Sequence, residues 1–221
     1  MDIKKQVYSY IYGILLTDGN LSLYTRNRGK VTLEISEKDR DILYQINKLV
    51  PGGIRHRQRV TNFSNGKIFV SFTWENHKKE FREELMSYGF PYENKSENAL
   101  PPSSEYNEKG FWRGVIDGDG SLGYTANGFP FLSFVTKSEQ LKTAYLKFLL
   151  THFEIAKLPN RNTRDFIYNI CVYKENAQRV SDFLYKNSGI FIPRKYNKYL
   201  EVKRWVRPLT MKKKGFDWKT K

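Results

Sequence analysis

An internal repeat with a spacing of about one hundred residues is the feature that most constrains how this 221-residue chain folds. Three residues near the N-terminus recur 101 positions later: Gly13 as Gly114, Asp18 as Asp119, and Gly19 as Gly120. Five further identities follow at a spacing of 100: Glu75, Asn76, Gly89, Lys95 and Leu100 recur as Glu175, Asn176, Gly189, Lys195 and Leu200. Identities that keep nearly one register along most of a chain indicate duplication, so we expect two copies of one folding unit.

Hydrophobic periodicity predicts the same order of elements in each half. For the first half it predicts helices at 3–17, 39–50 and 76–88 and strands at 21–25, 30–36, 54–61 and 67–74. For the second half it predicts a helix ending at Gly118, helices at 138–152 and 175–187, and strands at 121–126, 130–136, 156–162 and 165–173. The prediction is an α+β fold of two pseudo-symmetric αββαββα repeats with antiparallel sheets. The Asn65-Gly66 pair is typical of a hairpin turn between the last two strands of the first half.

The chain divides at a proline-containing segment between the two halves. Residues 1–89 form the first half, and residues 90–104, which contain Pro91, Pro101 and Pro102, form a linker in which no regular helix is expected. Residues 105–221 form the second half, with an additional helix at 194–206 and a basic tail around Lys212, Lys213 and Lys214.

The charge balance indicates a polyanionic partner. Thirty-eight basic residues against 23 acidic ones give a net charge of +15, which favours nucleic acid first and an anionic membrane surface second. No apolar run is long enough to span a membrane, and no secretion signal is recognised, so we expect a cytoplasmic or organellar protein. The single cysteine excludes disulfides and cysteine-rich zinc sites. The three scattered histidines argue against a His-metal nuclease and against a Ser-His-Asp arrangement. Any metal chemistry must then use carboxylates, which bind hard ions such as Mg²⁺.

The two repeated Asp-Gly pairs are placed where a metal site can form. Asp18 and Asp119 each end an apolar helix, and the glycine that follows is expected in a left-handed cap. A carboxylate at that end faces the negative end of the helix dipole, which costs about 0.3–1 kcal/mol, and a shared cation would offset both penalties. Gly13 and Gly114 lie inside these helices, so we expect the two backbones to approach closely and bring the acids together. A single Asp-Gly pair at a helix end is, by contrast, usually an ordinary turn.

Both segments resemble the LAGLIDADG motif, whose nine positions correspond to Ile11 to Gly19 and to Trp112 to Gly120. The first segment departs from the motif at Leu16, where the motif has an acid, and at Thr17, where a small residue is usual. The resemblance implies a metal-dependent DNA endonuclease of the LAGLIDADG homing endonuclease family, in the form that carries two motifs in one chain.

The resemblance also implies roles for particular residues. Asp18 and Asp119 would bind Mg²⁺, for which Mn²⁺ can substitute, and the carbonyl groups of Gly19 and Gly120 would add ligands. A basic residue stands beside each metal centre in that family, and the repeat offers Lys95 and Lys195. In a chain of this charge both lysines can equally be solvated side chains near a linker.

Alternation along the predicted strands indicates which side chains contact DNA. Arg55, Arg57 and Arg59 recur with a period of two, so they share one face of a strand, although an ordinary exposed strand has the same pattern. Further basic or aromatic side chains extend the expected DNA-contact surface: Tyr24, Arg26, Arg28, Lys30, Lys67, Arg161 and Arg164.

The expected function is site-specific cleavage of double-stranded DNA by a monomer, at a long asymmetric target, leaving short 3′ overhangs. An intron RNA-splicing maturase, or a catalytically silent DNA-binding regulator on the same fold, is the alternative. The two retained acids favour cleavage, because acids beside phosphates repel a ligand that is only bound. A maturase that binds intron RNA can also keep them.

Overall fold

The computed structural model describes residues 1–25, 28–60 and 68–208. Arg26, Lys67, the Asn65-Gly66 pair and the basic tail from 209 onward lie outside the described residues, as does the side chain of Arg59. No helix in the described ranges has the length and apolar character needed to cross a membrane.

Among its described residues, the first half contains four helices, a 3₁₀ turn at Glu37–Asp39 and a four-stranded antiparallel sheet. The helices are α1 (Gln6–Asp18), α2 (Asp41–Leu49), α3 (Lys79–Ser87) and the short α4 (Lys95–Asn98). The strands are β1 (Gly19–Tyr24), β2 (Arg28–Ser36), β3 (Gly53–Val60) and β4 (Ile68–Asn76), in the spatial order β1-β2-β4-β3. The predicted order of elements is confirmed, except that α4 forms one helical turn inside the segment expected to contain none.

The second half repeats this order with one strand fewer. Its helices are α5 (Glu108–Asp119), α6 (Glu139–Phe153), α7 (Glu175–Tyr185) and α8 (Pro193–Lys203). Its strands are β5 (Gly120–Tyr124), β6 (Pro130–Thr136) and β7 (Tyr168–Tyr173), which pair antiparallel in that order. The α+β prediction with antiparallel sheets is therefore confirmed.

The strand predicted at 156–162 is wrong. In that segment the structure has only an isolated bridge between Arg161 and Tyr168. Pro159 removes a backbone donor, and the side chain of Leu158 is 97% exposed, so the segment has neither the hydrogen bonds nor the buried face of a strand.

Two helices at the centre of the molecule hold the halves together. α1 and α5 pack so closely that a Cβ atom added at Gly13 would collide with the backbone carbonyl of Phe111, and one at Gly114 with that of Tyr10. The built Cβ of Gly13 would also lie 3.2 Å from the Cα of Gly114. The predicted close approach of the two glycines is confirmed, and it accounts for glycine inside otherwise apolar helices.

One face of each sheet packs on the helices, and the opposite face, called the outward face below, is not covered by them. In β2, Val31, Leu33 and Ile35 are buried while their neighbours alternate toward solvent, and β6 alternates in the same way. Each motif helix runs directly into the first strand of its sheet, so its end lies at the edge of the outward face.

The two Asp-Gly junctions differ from the left-handed cap that we predicted. Gly19 has φ −82° and ψ 171°, and Gly120 has φ −98° and ψ 168°, which is extended backbone. The chain enters a strand at once, so glycine is required here for space. A Cβ at Gly19 would lie 2.5 Å from the Leu15 carbonyl oxygen, and one at Gly120 would lie 2.6 Å from that of Ile116.

Candidate active site

Asp18 and Asp119 end the two packed helices and lie near each other. A Cβ built on Gly118 would be 2.9 Å from Oδ2 of Asp18, which places that carboxylate against the backbone of α5. Both acids are solvent-exposed. Desolvation by the surrounding atoms, followed by the charge of Asp119, raises the pKa of Asp18 to about 6. Desolvation also raises the pKa of Asp119. Two acids that disfavour their own ionisation are suited to a bound cation.

Lys95 and Lys195 hold equivalent positions at the ends of α1 and α5. Nζ of Lys95 donates to the carbonyl oxygen of Thr17 at 2.6 Å and to that of Gly19. Nζ of Lys195 donates to the carbonyl oxygens of Ile116 and Asp117, each at 2.6 Å, and to that of Gly120 at 2.9 Å. Each ammonium therefore pairs with the negative end of a motif helix.

Burial disfavours the protonated form of both lysines. It lowers the pKa of Lys95 to about 8, although the charges of Asp18 and Asp119 oppose that shift. It also lowers the pKa of Lys195, whose side chain is buried while that of Lys95 is half-buried. With a pKa of about 8, the Lys95 side chain still carries positive charge at neutral pH next to the paired acids.

The carbonyl groups predicted as metal ligands are already engaged. The Gly19 oxygen accepts from Lys95, and the Gly120 oxygen accepts from Lys195. The protein donors left for a cation are the two carboxylates. Within the described ranges, no group of three or more His, Cys, Asp or Glu side chains is arranged to hold a metal ion. A hard divalent ion fits this donor set only when water and phosphate oxygens complete its coordination.

Asp117, the other acid of the second motif, points away from this site into the core. Its carboxylate accepts from the Tyr10 hydroxyl at 2.7 Å, the Tyr185 hydroxyl at 2.6 Å and the backbone N–H of Ile192 at 2.8 Å. Leu16 holds the corresponding place in α1 and is buried. The departure from the motif at Leu16 therefore falls at a packing position, outside the pair of exposed acids.

A second polar contact joins the halves beside the acids. Arg194, which precedes Lys195 in α8, forms a two-point ion pair with the nearly buried Asp39, at 2.8 and 3.2 Å. The charge of Asp39 also contributes to the raised pKa of Asp18. No local pattern in the sequence indicates this contact, because Asp39 and Arg194 meet only in the folded chain.

The outward face of the first sheet carries several of the predicted DNA contacts. Strand pairing places Arg55 opposite Thr73 and Arg57 opposite Ser71, so both arginines share that face, and Arg59 continues their alternation in the backbone of β3. Pairing in the β1–β2 hairpin also places three predicted residues there: Tyr24, Arg28 and Lys30. These residues form one continuous surface.

Two carboxylates on the same face were missed by sequence reasoning. Glu75 bonds to Lys30 at 2.9 Å and lies 3.5 Å from Arg55, and Glu34 lies 3.7 Å from Arg57. Side chains two residues apart in a strand lie on the same face, so the alternation along β2 and β4 could have placed both carboxylates on the outward face.

Arg161 and Arg164 lie outside the second sheet, in the segment between α6 and β7. The Arg161 guanidinium donates to the carbonyl of Phe166 and stacks over the rings of Phe166 and Tyr168. Arg164 pairs with Asp165 at 2.7 Å. Both are exposed, so they border the second sheet face without being part of it.

A cavity of about 160 Å³ opens beside the second acid. Among its lining residues are Asp119, Lys95, Thr17 and Lys137. Lys137 is exposed and follows β6 directly, so a third ammonium group lies near the paired acids. From the sequence alone this lysine could equally be a DNA contact or a helix-entry residue.

Comparison with known proteins supports the motif resemblance. Residues 107–183 match the family model described as a LAGLIDADG-like domain. No curated protein sequence matches the chain. The chain has the fold of the homing endonuclease I-WcaI bound to its DNA recognition sequence, with 15% identity and a TM-score of 0.64 over 90% of this chain and 88% of that chain.

Two other solved structures share this fold. One is the meganuclease I-SmaMI bound to uncleaveable DNA, with 10% identity and a TM-score of 0.56 over 90% of each chain. The other comes from mesophilic variants of the homing endonuclease I-DmoI, with 11% identity and a TM-score of 0.59 over 90% of this chain and 100% of that chain.

Proposed function

We propose that this chain is a divalent-metal-dependent endonuclease that cleaves both strands of a long, asymmetric double-stranded DNA site. The observation that carries the proposal is the pair of exposed acids, Asp18 and Asp119, at the ends of two helices in backbone contact. Two DNA-bound proteins with this fold, the homing endonuclease I-WcaI and the meganuclease I-SmaMI, support the same conclusion.

Asp18 and Asp119 would hold Mg²⁺, for which Mn²⁺ can substitute, together with water and the scissile phosphates. A bound ion of this kind activates water and stabilises the charge that develops on the phosphate and the leaving oxygen. In this proposal the two acids lie on a pseudo-twofold axis between the halves, so that each would face a different strand of a duplex laid across it. Cuts placed in this way would leave short 3′ overhangs, as the resemblance implies.

The two lysines position the helix ends in this proposal. Lys95 and Lys195 donate hydrogen bonds to the carbonyl oxygens at the ends of α1 and α5. These hydrogen bonds direct each backbone from its helix into the following strand, and so they fix the position of the acid at that junction. Their positive charges also favour the ionised form of the acids and the approach of phosphate. Gly19 and Gly120 contribute carbonyl ligands only if the ammonium groups move away on DNA binding.

The two sheets would flank the acids along the duplex. A single chain supplies both motif helices, so a monomer is sufficient for two cuts. Arg55 and Arg57 on the first sheet are suited to phosphate oxygens or guanine edges, with Arg59 next in the alternation.

Cleavage of DNA from a randomised plasmid library tests the proposal. We expect wild-type protein to linearise plasmids that contain one defined site when Mg²⁺ or Mn²⁺ is present, and to bind that site without cutting it in Ca²⁺. Asp18→Asn and Asp119→Asn should each slow cleavage on the order of 100-fold or more while binding in Ca²⁺ persists. Asp41→Asn, which removes an exposed acid at the start of α2, is the matched control and should cut normally.

Each other outcome has a clear meaning. Cleavage by Asp119→Asn at the wild-type rate would rule out the assignment of the acids. Selective DNA binding with no cleavage in any divalent metal would favour a DNA-binding regulator. Preferential binding and splicing of intron RNA would favour a maturase.

A further inference from the structure

The pairing register allows the two sheets to be compared residue by residue. Gly19 pairs with Leu33 in the first sheet, and Gly120 pairs with Phe134 in the second, so each step along the strands has a counterpart. On this basis three charged residues on the outward side of the first sheet have counterparts without charge in the second: Lys30 and Phe131, Glu34 and Val135, and Glu75 and Cys171.

The outward face of the first sheet is strongly charged. It carries Arg28, Lys30, Arg55 and Arg57, and the two carboxylates Glu34 and Glu75. The guanidinium groups reach solvent, since the side chains of Arg55 and Arg57 are 73% and 56% exposed.

The outward face of the second sheet has no Asp, Glu, Lys, Arg or His among its paired strand residues. It consists of Ser121, Gly123, Phe131, Ser133, Val135, Asn169, Cys171 and Tyr173. Ser121 and Asn169 are exposed, and Tyr173 is 45% exposed. Basic side chains lie around this face: Lys137, Arg161, Arg164 and Lys174.

This difference decides how each face can bind a duplex. Cations on a face neutralise phosphates and release counterions, which gives affinity that falls as salt rises. The paired strand residues of the second face supply no such term, so recognition by these side chains must use base edges. Apolar side chains contact the 5-methyl group of thymine, and Asn can pair with the N6 and N7 atoms of adenine.

We propose that the second sheet recognises its half of the DNA site through thymine methyl groups and neutral hydrogen bonds, so that this half is rich in A·T pairs. Phe131, Val135 and Tyr173 supply the apolar contacts, and Ser133 and Asn169 supply the hydrogen bonds. The first sheet then contributes most of the salt-dependent affinity. The inference rests on the proposed function, because it requires that DNA lie across both sheets.

Replacement of thymine by uracil in a selected site tests this inference with the unaltered protein. A site is first selected from a randomised duplex library in Ca²⁺. Photo-crosslinking with 5-iodouracil at single thymines then identifies the half that contacts Phe131 or Tyr173. Uracil is next placed in one half at a time, which removes only the methyl groups.

We expect uracil in the half that crosslinks to the second sheet to weaken binding about three- to fourfold per contacted thymine, and uracil in the other half to have little effect. Substitution at two counterpart positions provides the second measurement. Phe131→Lys should increase the slope of log affinity against log salt by about one, because it adds a cation to the second face. Lys30→Phe should change the slope by less, because Glu75 already pairs with Lys30.

The outcomes separate this inference from the proposed function. If no sequence is enriched from the library, the proposed function fails. If a site is enriched but the half on the second sheet is G·C-rich, or if uracil weakens both halves equally, the proposed function stands and the inference is overturned.

Discussion

The hydroxyl of Tyr10 in α1 donates a 2.7 Å hydrogen bond to Oδ2 of Asp117 in α5, so the buried acid of the second motif is bound from the other half of the chain. Tyr185 and the backbone of Ile192 supply the other two donors. The guanidinium of Arg113 stacks over the Tyr10 ring and donates to the carbonyls of Leu184 and Ile190. This buried network ties the central helix pair to α7 and to the start of α8.

We expect Asp117→Ala to reduce the free energy of unfolding by about 3 kcal/mol or more, because three buried donors lose their acceptor. Tyr10→Phe should cost about 1 kcal/mol. Tyr12→Phe is the control, because Tyr12 is also buried in α1 but its hydroxyl makes only a 3.4 Å contact with the Tyr88 carbonyl. Urea unfolding measures all three, and equal losses for Tyr10→Phe and Tyr12→Phe would contradict the role of Asp117.

The contact between the motif helices gives a second prediction. Gly114→Ala should lower the free energy of unfolding by about 2–3 kcal/mol, because the new methyl group would meet the Tyr10 carbonyl and the backbone nitrogen of Ile14, which cannot move aside cheaply. Gly53→Ala is the matched control, since a Cβ there meets no atom within 4 Å. Thermal unfolding measures both. A Gly114→Ala protein as stable as Gly53→Ala would show that the helices do not meet as described.

The sequence predicted the residues of the two motif helices better than the polar contacts around them, for a physical reason. Glycines inside apolar helices and acids at helix ends are local patterns that recur in register, so Gly13, Gly114, Asp18 and Asp119 were found directly. The other polar contacts are tertiary. Nothing local in the sequence indicates that the Lys195 ammonium reaches the carbonyl groups of α5, which lie more than 70 residues away.

The repeat itself was partly misread. Glu75-Asn76 and Glu175-Asn176 have the expected spacing, but Glu75 lies in β4 whereas Glu175 begins α7. The strand register instead makes Cys171 the counterpart of Glu75, because the second half is shorter between its sheet strands. The segment 156–162, where the predicted strand is absent, falls within this shorter stretch. Spacing alone cannot show where two repeats differ in length.

The raised pKa of Asp18 predicts how its replacement changes stability with pH. Its pKa is about 6 in the folded chain and near 3.9 in an unfolded one, so the folded state binds the proton more tightly. Without metal, ionised Asp18 therefore lowers stability, a loss that develops between about pH 4 and 6 and is complete above pH 6.

We expect Asp18→Asn to be more stable than wild type by about 1 kcal/mol at pH 7.5 in EDTA, a modest value because the carboxylate is exposed and partly screened. The difference should vanish at pH 4, and Mg²⁺ with target DNA should reduce it. Urea unfolding at the two pH values is the measurement. A gain that is equal at pH 4 and pH 7.5 would show that the Asp18 charge is not its cause.

The two lysines should differ in their structural contribution. Lys195→Met leaves buried carbonyl groups of α5 without a donor and should cost about 2 kcal/mol of stability, whereas Lys95→Met, at a half-buried side chain, should cost about 1 kcal/mol. Both should slow cleavage more than they weaken binding in Ca²⁺, because each moves an acid. Single-turnover cleavage and binding assays on the folded variants separate these effects. Equal loss of binding and cleavage would make the lysines DNA contacts.

Glu75 is a negative charge on the face that is proposed to meet phosphates. The hydrogen bond from Lys30 is the main reason that the pKa of Glu75 is lowered, and Arg55 and His77 also lie within 3.5 Å of its carboxylate. The Glu75 carboxylate therefore repels phosphate, and at the same time it fixes the positions of the Lys30 and Arg55 cations. This arrangement favours selectivity for one DNA sequence. Cations held in fixed positions can contact base edges, whereas unrestrained cations bind the phosphate backbone of any sequence.

We expect Glu75→Gln to strengthen binding to nonspecific duplex by about threefold to tenfold and to steepen its salt dependence, because Lys30 and Arg55 become free to neutralise phosphates. Binding to the selected site should change less, so the ratio of specific to nonspecific affinity falls. Glu83→Gln makes the same charge change on α3, which packs against the opposite side of the sheet through Phe81 and Trp74, and should alter neither value appreciably. Titrations at several salt concentrations measure the slope. If Glu75→Gln and Glu83→Gln gave the same increase, net charge alone would explain the effect and the placement of Glu75 would have no part in discrimination.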